Sequence, residues 1–235
     1  MGSTRLPNKS LLPLAGMSLV GRILERVRLI QGIHETVLAI PNSRDNDALE
    51  LLARDYGVMC FRGSENDLVD RYYKAALEMD ADYILRLPAD NPCSEPSEFE
   101  RLIRYHPSSG NDFSSNICHF MGNGYPDGIG VEMFDIESLT YIWENEQALS
   151  KREHVALNYY DYVNDRYPSS NFNFKVGTIK CPDNYSRPDI CLDINTESDY
   201  LFIEKLHQYL SKINREYDFS DVIAWFDKQK KQEEV

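Results

Sequence analysis

The residues best suited to chemistry stand at the front of the sequence. Gly2, Ser3, Thr4, Arg5 and Lys9 put a flexible glycine, two hydroxyls and two cations into one short segment, directly ahead of an amphipathic stretch. Backbone N–H groups in a glycine-containing turn at the approach to a helix can cradle an anion. Arg5 and Lys9 add the charge and the bidentate donors that suit a triphosphate. Taken alone, the same segment also reads as a basic tail. Asp90 closes an apolar run inside Leu87-Pro88-Ala89-Asp90-Asn91-Pro92. A carboxylate there suits Mg²⁺, which takes one or two carboxylates plus phosphate oxygens. A plain turn acid between prolines is the alternative. In Leu192–Thr196, strand alternation puts Asp193 and Asn195 on one face as further metal-ligand candidates. Asn195 or Thr196 followed by Glu197 also suits a helix cap.

Arg62, Ser64, Asp70 and Arg71 follow a second apolar run and could read a nucleobase or a ribose, or form a solvated loop and first helical turn. Ser64 and Arg71, with Arg62, join Gly2, Ser3, Arg5, Lys9 and Ala39 as the nucleotide-binding candidates. Tyr125, Asp127 and Glu132 lie in a polar, glycine-rich loop and strand, fit for an acceptor substrate or for a simple hairpin. Arg152 and His154 open a helix and complete the acceptor candidates, although a histidine there also suits a surface role. No Ser or Cys nucleophile motif accompanies it. Tyr159, Tyr160 and Tyr162 read as packing.

These residues need a frame that brings them together. Apolar positions at helical spacing predict a helix over Met17–Ile30, then a strand over Thr36–Ile40 and a helix over Asp45–Tyr56 ended by Gly57. Val58–Phe61 reads as a strand, Asp67–Met79 as a helix and Tyr83–Leu87 as a strand. Alternation at this rhythm indicates a mostly parallel, doubly wound sheet, with ligands beyond the carboxyl ends of the strands. Further on, helices are expected over Phe99–Tyr105, Ile136–Glu146, Arg152–Asp165, Glu197 to about Ile213, and Phe219–Lys228, with a frayed end. Strands are expected over Asp112–Ile117, Val131–Phe134, Phe172–Lys180 as an antiparallel edge, and Ile190–Asn195. No repeat or linker divides the chain, so a single domain over 1–235 is expected.

Composition narrows the function. A formal net charge of −13 argues against a broad basic face for nucleic acid. Phosphate handling would fall to one local basic pocket with a divalent cation. The five cysteines show no CxxC or metal-ligand spacing and read as reduced and mostly buried. With no secretory signal and no membrane-length apolar run, the expected location is the cytoplasm.

In order, STRLPNK, RGSENDLVDRYYKAA, RLPADNP, YPDGIGVEMF, REHV and LDINTESDY resemble the SpsF-type cytidylyltransferases of spore-coat polysaccharide biosynthesis, relatives of CMP-KDO and CMP-acylneuraminate synthetases. The resemblance runs from Met1 to about Leu210. It implies a three-layer α/β/α fold of the nucleotide-diphospho-sugar transferase type, activation of a sugar or sugar acid by CTP with Mg²⁺, and a homodimer. By analogy, Arg5 and Lys9 belong to the triphosphate loop and Asp90 is the metal aspartate. The sequence departs from the pattern in four places. The strand ending in Gln-Ala-Arg that normally leads into the loop is absent, and Asn8 replaces a glycine. Asn195 replaces the second metal aspartate, with Asp193 as a possible substitute, and Gly130 replaces an acid, leaving Asp127 and Glu132 nearby.

The chemistry expected is attack of an acceptor hydroxyl or phosphate on the α-phosphorus of CTP, a reaction that needs positioning and charge neutralisation more than a covalent partner. The rivals are a non-catalytic nucleotide-binding relative and a glycosyltransferase of the same sheet architecture. The latter would want an Asp-x-Asp where this chain has Ala89-Asp90-Asn91.

Overall fold

Helices alternate with short strands through the first half of the chain, as the apolar spacing requires. The structure is a computed structural model and describes residues 6–117, 120–162, 164, 166–167, 172–213 and 215–233. A small antiparallel hairpin, β1 (Pro13–Leu14) and β2 (Met17–Ser18), leads into α1 (Leu19–Val27). The Ser18 side chain accepts the Gly21 N–H and caps α1, whose buried stripe is Leu19, Val20, Ile23 and Leu24. Next come β3 (Val37–Pro41), α2 (Asp47–Asp55) and β4 (Met59–Gly63), the two strands pairing in parallel. Asp67 caps α3 (Leu68–Glu78), which leads to β5 (Tyr83–Arg86).

A second sheet holds β5, β6 (Phe113–Ser115), β7 (Glu132–Asp135) and β8 (Val176–Thr178) in the order β5-β7-β6-β8. Its antiparallel pairings all trace to one reversed strand, β7; β6 and β8 run parallel. Helices α4 (Pro96–Ser109), α5 (Ile136–Asn145), α6 (Leu149–Glu153), α7 (Glu197–Leu210) and α8 (Phe219–Glu233) complete the architecture. The α7 start is a full capping box, Thr196 with Asp199.

Four expectations change. The helix expected over Arg152–Asp165 is instead α6, a break at His154 and a 3-10 turn over Val155–Asn158. Val155, Ala156, Tyr159 and Tyr160 are all buried, at a spacing that would also suit one helical face, so apolar period does not mark the break. β8 is shorter than Phe172–Lys180 and pairs in parallel. The helix expected to fray after Lys228 runs on to Glu233. Ile190–Asn195 keeps strand alternation without a ladder: Ile190, Leu192 and Ile194 enter the core, while Cys191, Asp193 and Asn195 face the other way. Single bonds pin that segment, from Asp127 N–H to Ile190 O and from Ile194 N–H to Asp90 O.

No helix among the described residues is long and apolar enough to cross a membrane.

Candidate active site

Lys9 begins a 3-10 turn, Lys9–Leu11, behind Asn8 in the left-handed region at φ 57°. Asparagine is among the few residues other than glycine that visit that region readily, so Asn8 can stand where a glycine was expected. The turn aims Lys9 across the chain. Its Nζ donates to Asp90 Oδ2 at 3.0 Å and to the Ile194 carbonyl at 2.8 Å. Since Ile194 N–H in turn donates to the Asp90 carbonyl, three distant segments are tied at one point. Gly2, Ser3 and Arg5 lie outside the described residues.

On the solvent-facing side of the 190–195 segment, Asn195 Nδ2 donates to Asp193 Oδ2. Asp127, Cys191 and Asp193 place their ligand atoms within 4.8 Å of one another. Burial, with Asp193 and Asp127 close by, pushes the Cys191 thiol up to about 12, so it stays protonated near neutrality. The oxygens of Asp90, Asp193 and Asn195 are hard donors of the kind Mg²⁺ takes.

Glycines let the 125–130 loop lie against this segment. Gly128 has φ +83°, and a Cβ there would come within 2.8 Å of Leu192 Cβ and 2.9 Å of the Asp193 nitrogen. At Gly130 a Cβ would run into the Asn116 carbonyl, 2.7 Å from its carbon and 2.8 Å from Ile117 Cα. An acid at 130 does not fit this backbone, which accounts for that departure.

Beyond Asp127 opens a cavity of about 610 Å³. Its polar lining is Asp127, Glu132, His154, Arg86 and Ser115; its apolar lining includes Phe113, Phe120, Val155, Tyr160 and Tyr162. Arg86 and Glu132 are register partners across β5 and β7, and Arg86 Nη1 donates to Glu132 Oε2 at 2.5 Å. Burial works against the Arg86 charge, but Glu132 and Tyr72 outweigh it and hold the guanidinium above its usual range.

The remaining candidates fall elsewhere. Tyr125 is fully buried, its hydroxyl donating to Glu98 and accepting from Arg101, and burial followed by Glu98 raises its pKa. It is a core residue, not part of the cavity lining. Arg152 is committed to Asp67 Oδ2 at 2.6 Å and to the Trp143 and Glu146 carbonyls, which fixes α6 against α3. Arg62 is held by Asp47, Glu50 and the Ser43 carbonyl. Ser64 accepts the Asp67 N–H on its hydroxyl and an Arg71 N–H on its carbonyl. Ala39 sits inside β3, paired with Phe61. Tyr160 and Tyr162, read as packing, line the cavity, whereas Tyr159 stays in the core. Arg86 was missed as well, although its pairing with Glu132 needs only the β5–β7 register to find.

Comparison with solved structures places this geometry in a class. A cytidylyltransferase from Leptospira borgpetersenii serovar Hardjo-bovis matches with a TM-score of 0.82 at 27% identity, over 98% of this chain and 92% of that one. A CMP:2-keto-3-deoxy-manno-octonic acid synthetase complexed with CTP matches in fold, with a TM-score of 0.60 at 14% identity, over 87% of this chain and 93% of that one. The protein has the α/β fold of the nucleotide-diphospho-sugar transferases. The cytidylyltransferase family pattern matches residues 1–223, and the chain belongs to that family. The spore coat polysaccharide biosynthesis protein SpsF of Bacillus subtilis is 31% identical over 218 residues, 88% of this chain and 83% of that protein.

Proposed function

We propose that this cytidylyltransferase moves a cytidylyl group from CTP to a small sugar-like acceptor, with Mg²⁺, as a cytoplasmic step in making a surface polysaccharide or related glycan. An acceptor oxygen bonds to the α-phosphorus, the α–β bridging P–O bond breaks, and pyrophosphate leaves with the electron pair. The observation that carries this reading is the meeting of Lys9 with Asp90 and the Ile194 carbonyl. Ile194 is followed back along the chain by Asp193, whose carboxylate lies within 4.8 Å of that of Asp127, and Asp127 lines the cavity.

Lys9 now shares its ammonium between a carboxylate and a neutral carbonyl, and an arriving polyphosphate offers it a stronger partner. Asp90, Asp193 and the Asn195 amide oxygen would hold Mg²⁺, which when bound neutralises phosphate charge. Removing one such charge-stabilising group typically costs ~10²–10³ in rate. The test is pyrophosphate release from CTP·Mg²⁺ with a panel of sugars and sugar acids. Lys9→Ala and Asp90→Ala should each abolish release while keeping the parent's circular dichroism. Turnover at the parent's rate in either would remove the site from the mechanism. A homodimer in solution belongs to the same reading and is checked by light scattering.

A second reading rests on Asn195, which supplies an amide where the resemblance implies a carboxylate. In it the chain binds CTP without turning it over. Calorimetric binding of CTP·Mg²⁺ with no pyrophosphate from any acceptor would favour it.

A further inference from the structure

The two acids beside the Lys9 turn are held in different ways. Asp193 takes its hydrogen bonds from neutral donors, the Cys191 thiol at 2.8 Å and the Asn195 amide, which leave its charge in place. Asp90 takes its one side-chain hydrogen bond among the described residues from an ammonium, Lys9 Nζ at 3.0 Å, and is neutralised by it. The two side chains are only 16% and 30% exposed, so solvent screens them less than a surface pair. A second Lys9 bond, to the Ile194 carbonyl at 2.8 Å, holds the ammonium in place. Backbone bonds from Lys9 N–H to the Leu6 carbonyl and from Leu11 N–H to the Asn8 carbonyl pin the turn behind it. The flexible four-carbon stem of the lysine, by contrast, can swing the charge away with the backbone unmoved.

We propose that Lys9 is a built-in stand-in for the divalent cation: it occupies Asp90 until a nucleoside triphosphate draws it off, so that this carboxylate becomes a metal ligand only together with the nucleotide. Two cations on one carboxylate repel each other, so Lys9 must leave Asp90 before a divalent ion can take it. Phosphate oxygens give the ammonium a more highly charged acceptor, and its departure leaves Asp90 as an open hard donor. Nucleotide and metal binding are therefore coupled, each tightening the other by the same factor. In the nucleotide-free protein the same contact keeps free divalent cations from settling on Asp90. This inference rests on the cytidylyl-transfer reading and adds to it the order in which the site fills.

The test titrates the full chain with Mn²⁺ alone and reads the free ion by electron paramagnetic resonance. Lys9→Gln removes the charge and keeps a donor for Asp90 or Ile194, Lys9→Met removes both, and Lys9→Arg keeps the charge. Lys9→Gln and Lys9→Met should bind Mn²⁺ at least about tenfold more tightly than the parent, the scale expected from losing one charge-assisted contact. Lys9→Arg should stay near the parent, and adding Asp90→Asn to Lys9→Gln should abolish the gain. Where Lys9→Met does not keep the parent's circular dichroism, Lys9→Gln decides. Parent-like Mn²⁺ affinity in Lys9→Gln, an equal gain in Lys9→Arg, or a gain that survives Asp90→Asn would overturn the inference. Calorimetry with CTP and pyrophosphate release on the parent separate the two claims. If CTP binds and reacts while Lys9→Gln gains nothing, cytidylyl transfer stands and the stand-in role falls; if CTP does not bind the parent, both fall.

Discussion

Arg86 and Glu132 provide a quantitative test of how the cavity wall is held. They face each other across β5 and β7, with side chains 18% and 5% exposed. Replacing one partner leaves the other charge in a poorly solvated wall, at a cost of roughly 3–5 kcal/mol for a buried pair. Arg86 retains the Tyr72 hydroxyl, so Glu132→Gln should cost about 3 kcal/mol, at the lower end of that range. Arg86→Met should cost about the same by stranding the Glu132 carboxylate. Once one charge is gone, removing the second relieves the stranded-charge penalty, so the double variant should lose well under about 3 kcal/mol rather than about 6, a coupling larger than about 3 kcal/mol. Urea unfolding of parent, singles and double gives the four values, provided the slopes agree. Strictly additive losses would refute the reasoning and show that the two charges are solvated independently.

Gly130→Asp, which restores an acid the resemblance calls for, should destabilise the fold, because its Cβ would overlap the Asn116–Ile117 backbone. A thermal melt that matches the parent would contradict this. His207 is buried beside Cys93, and burial, with Arg22 and Arg26 nearby, lowers its pKa to about 3 from 6.5. Between those values the unfolded chain binds the extra proton, so this contribution to stability is complete above pH 6.5 and is lost as pH falls toward about 3. His207→Gln should therefore flatten the acid limb of stability against pH, measured by urea unfolding across that range; an unchanged slope would refute the assignment. Cys191 remains a neutral thiol, so Cys191→Ser should keep the parent's rate of pyrophosphate release from about pH 7 to 9, and a large loss would make the sulfur a working ligand.

Much of this arrangement can be read from spacing. The helices over Leu19–Val27, Asp47–Asp55 and Leu68–Glu78 and the strands between them follow from apolar period and from Ser18 and Asp67 as caps. Lys9 and Asp90 can be singled out because each residue type stands at an element's end, where side chains are free to converge. Other features depend on tertiary contacts that periodicity does not encode. The turn at Val155–Asn158 carries apolar residues that suit a helix, yet it is shaped by the aromatic cluster around Phe113, Phe120 and Tyr159. Arg152 and Tyr125 have functional side chains whose partners, Asp67 and Glu98, come from helices or caps far away in sequence. The strand alternation of Ile190–Asn195 is real, but the Ile190, Leu192 and Ile194 side chains pack into a helical core rather than onto a sheet.

The central claim is that Lys9 and Asp90 serve one bound polyphosphate together. Its most direct test is calorimetric titration of CTP, with and without Mg²⁺, into the parent, Lys9→Ala, Asp90→Ala and the double variant. The account predicts Mg²⁺-enhanced binding in the parent, about tenfold or more weaker binding in each single variant, and loss of the Mg²⁺ enhancement when Asp90 is replaced. Parent-like affinity in both single variants, with the Mg²⁺ enhancement intact, would contradict it.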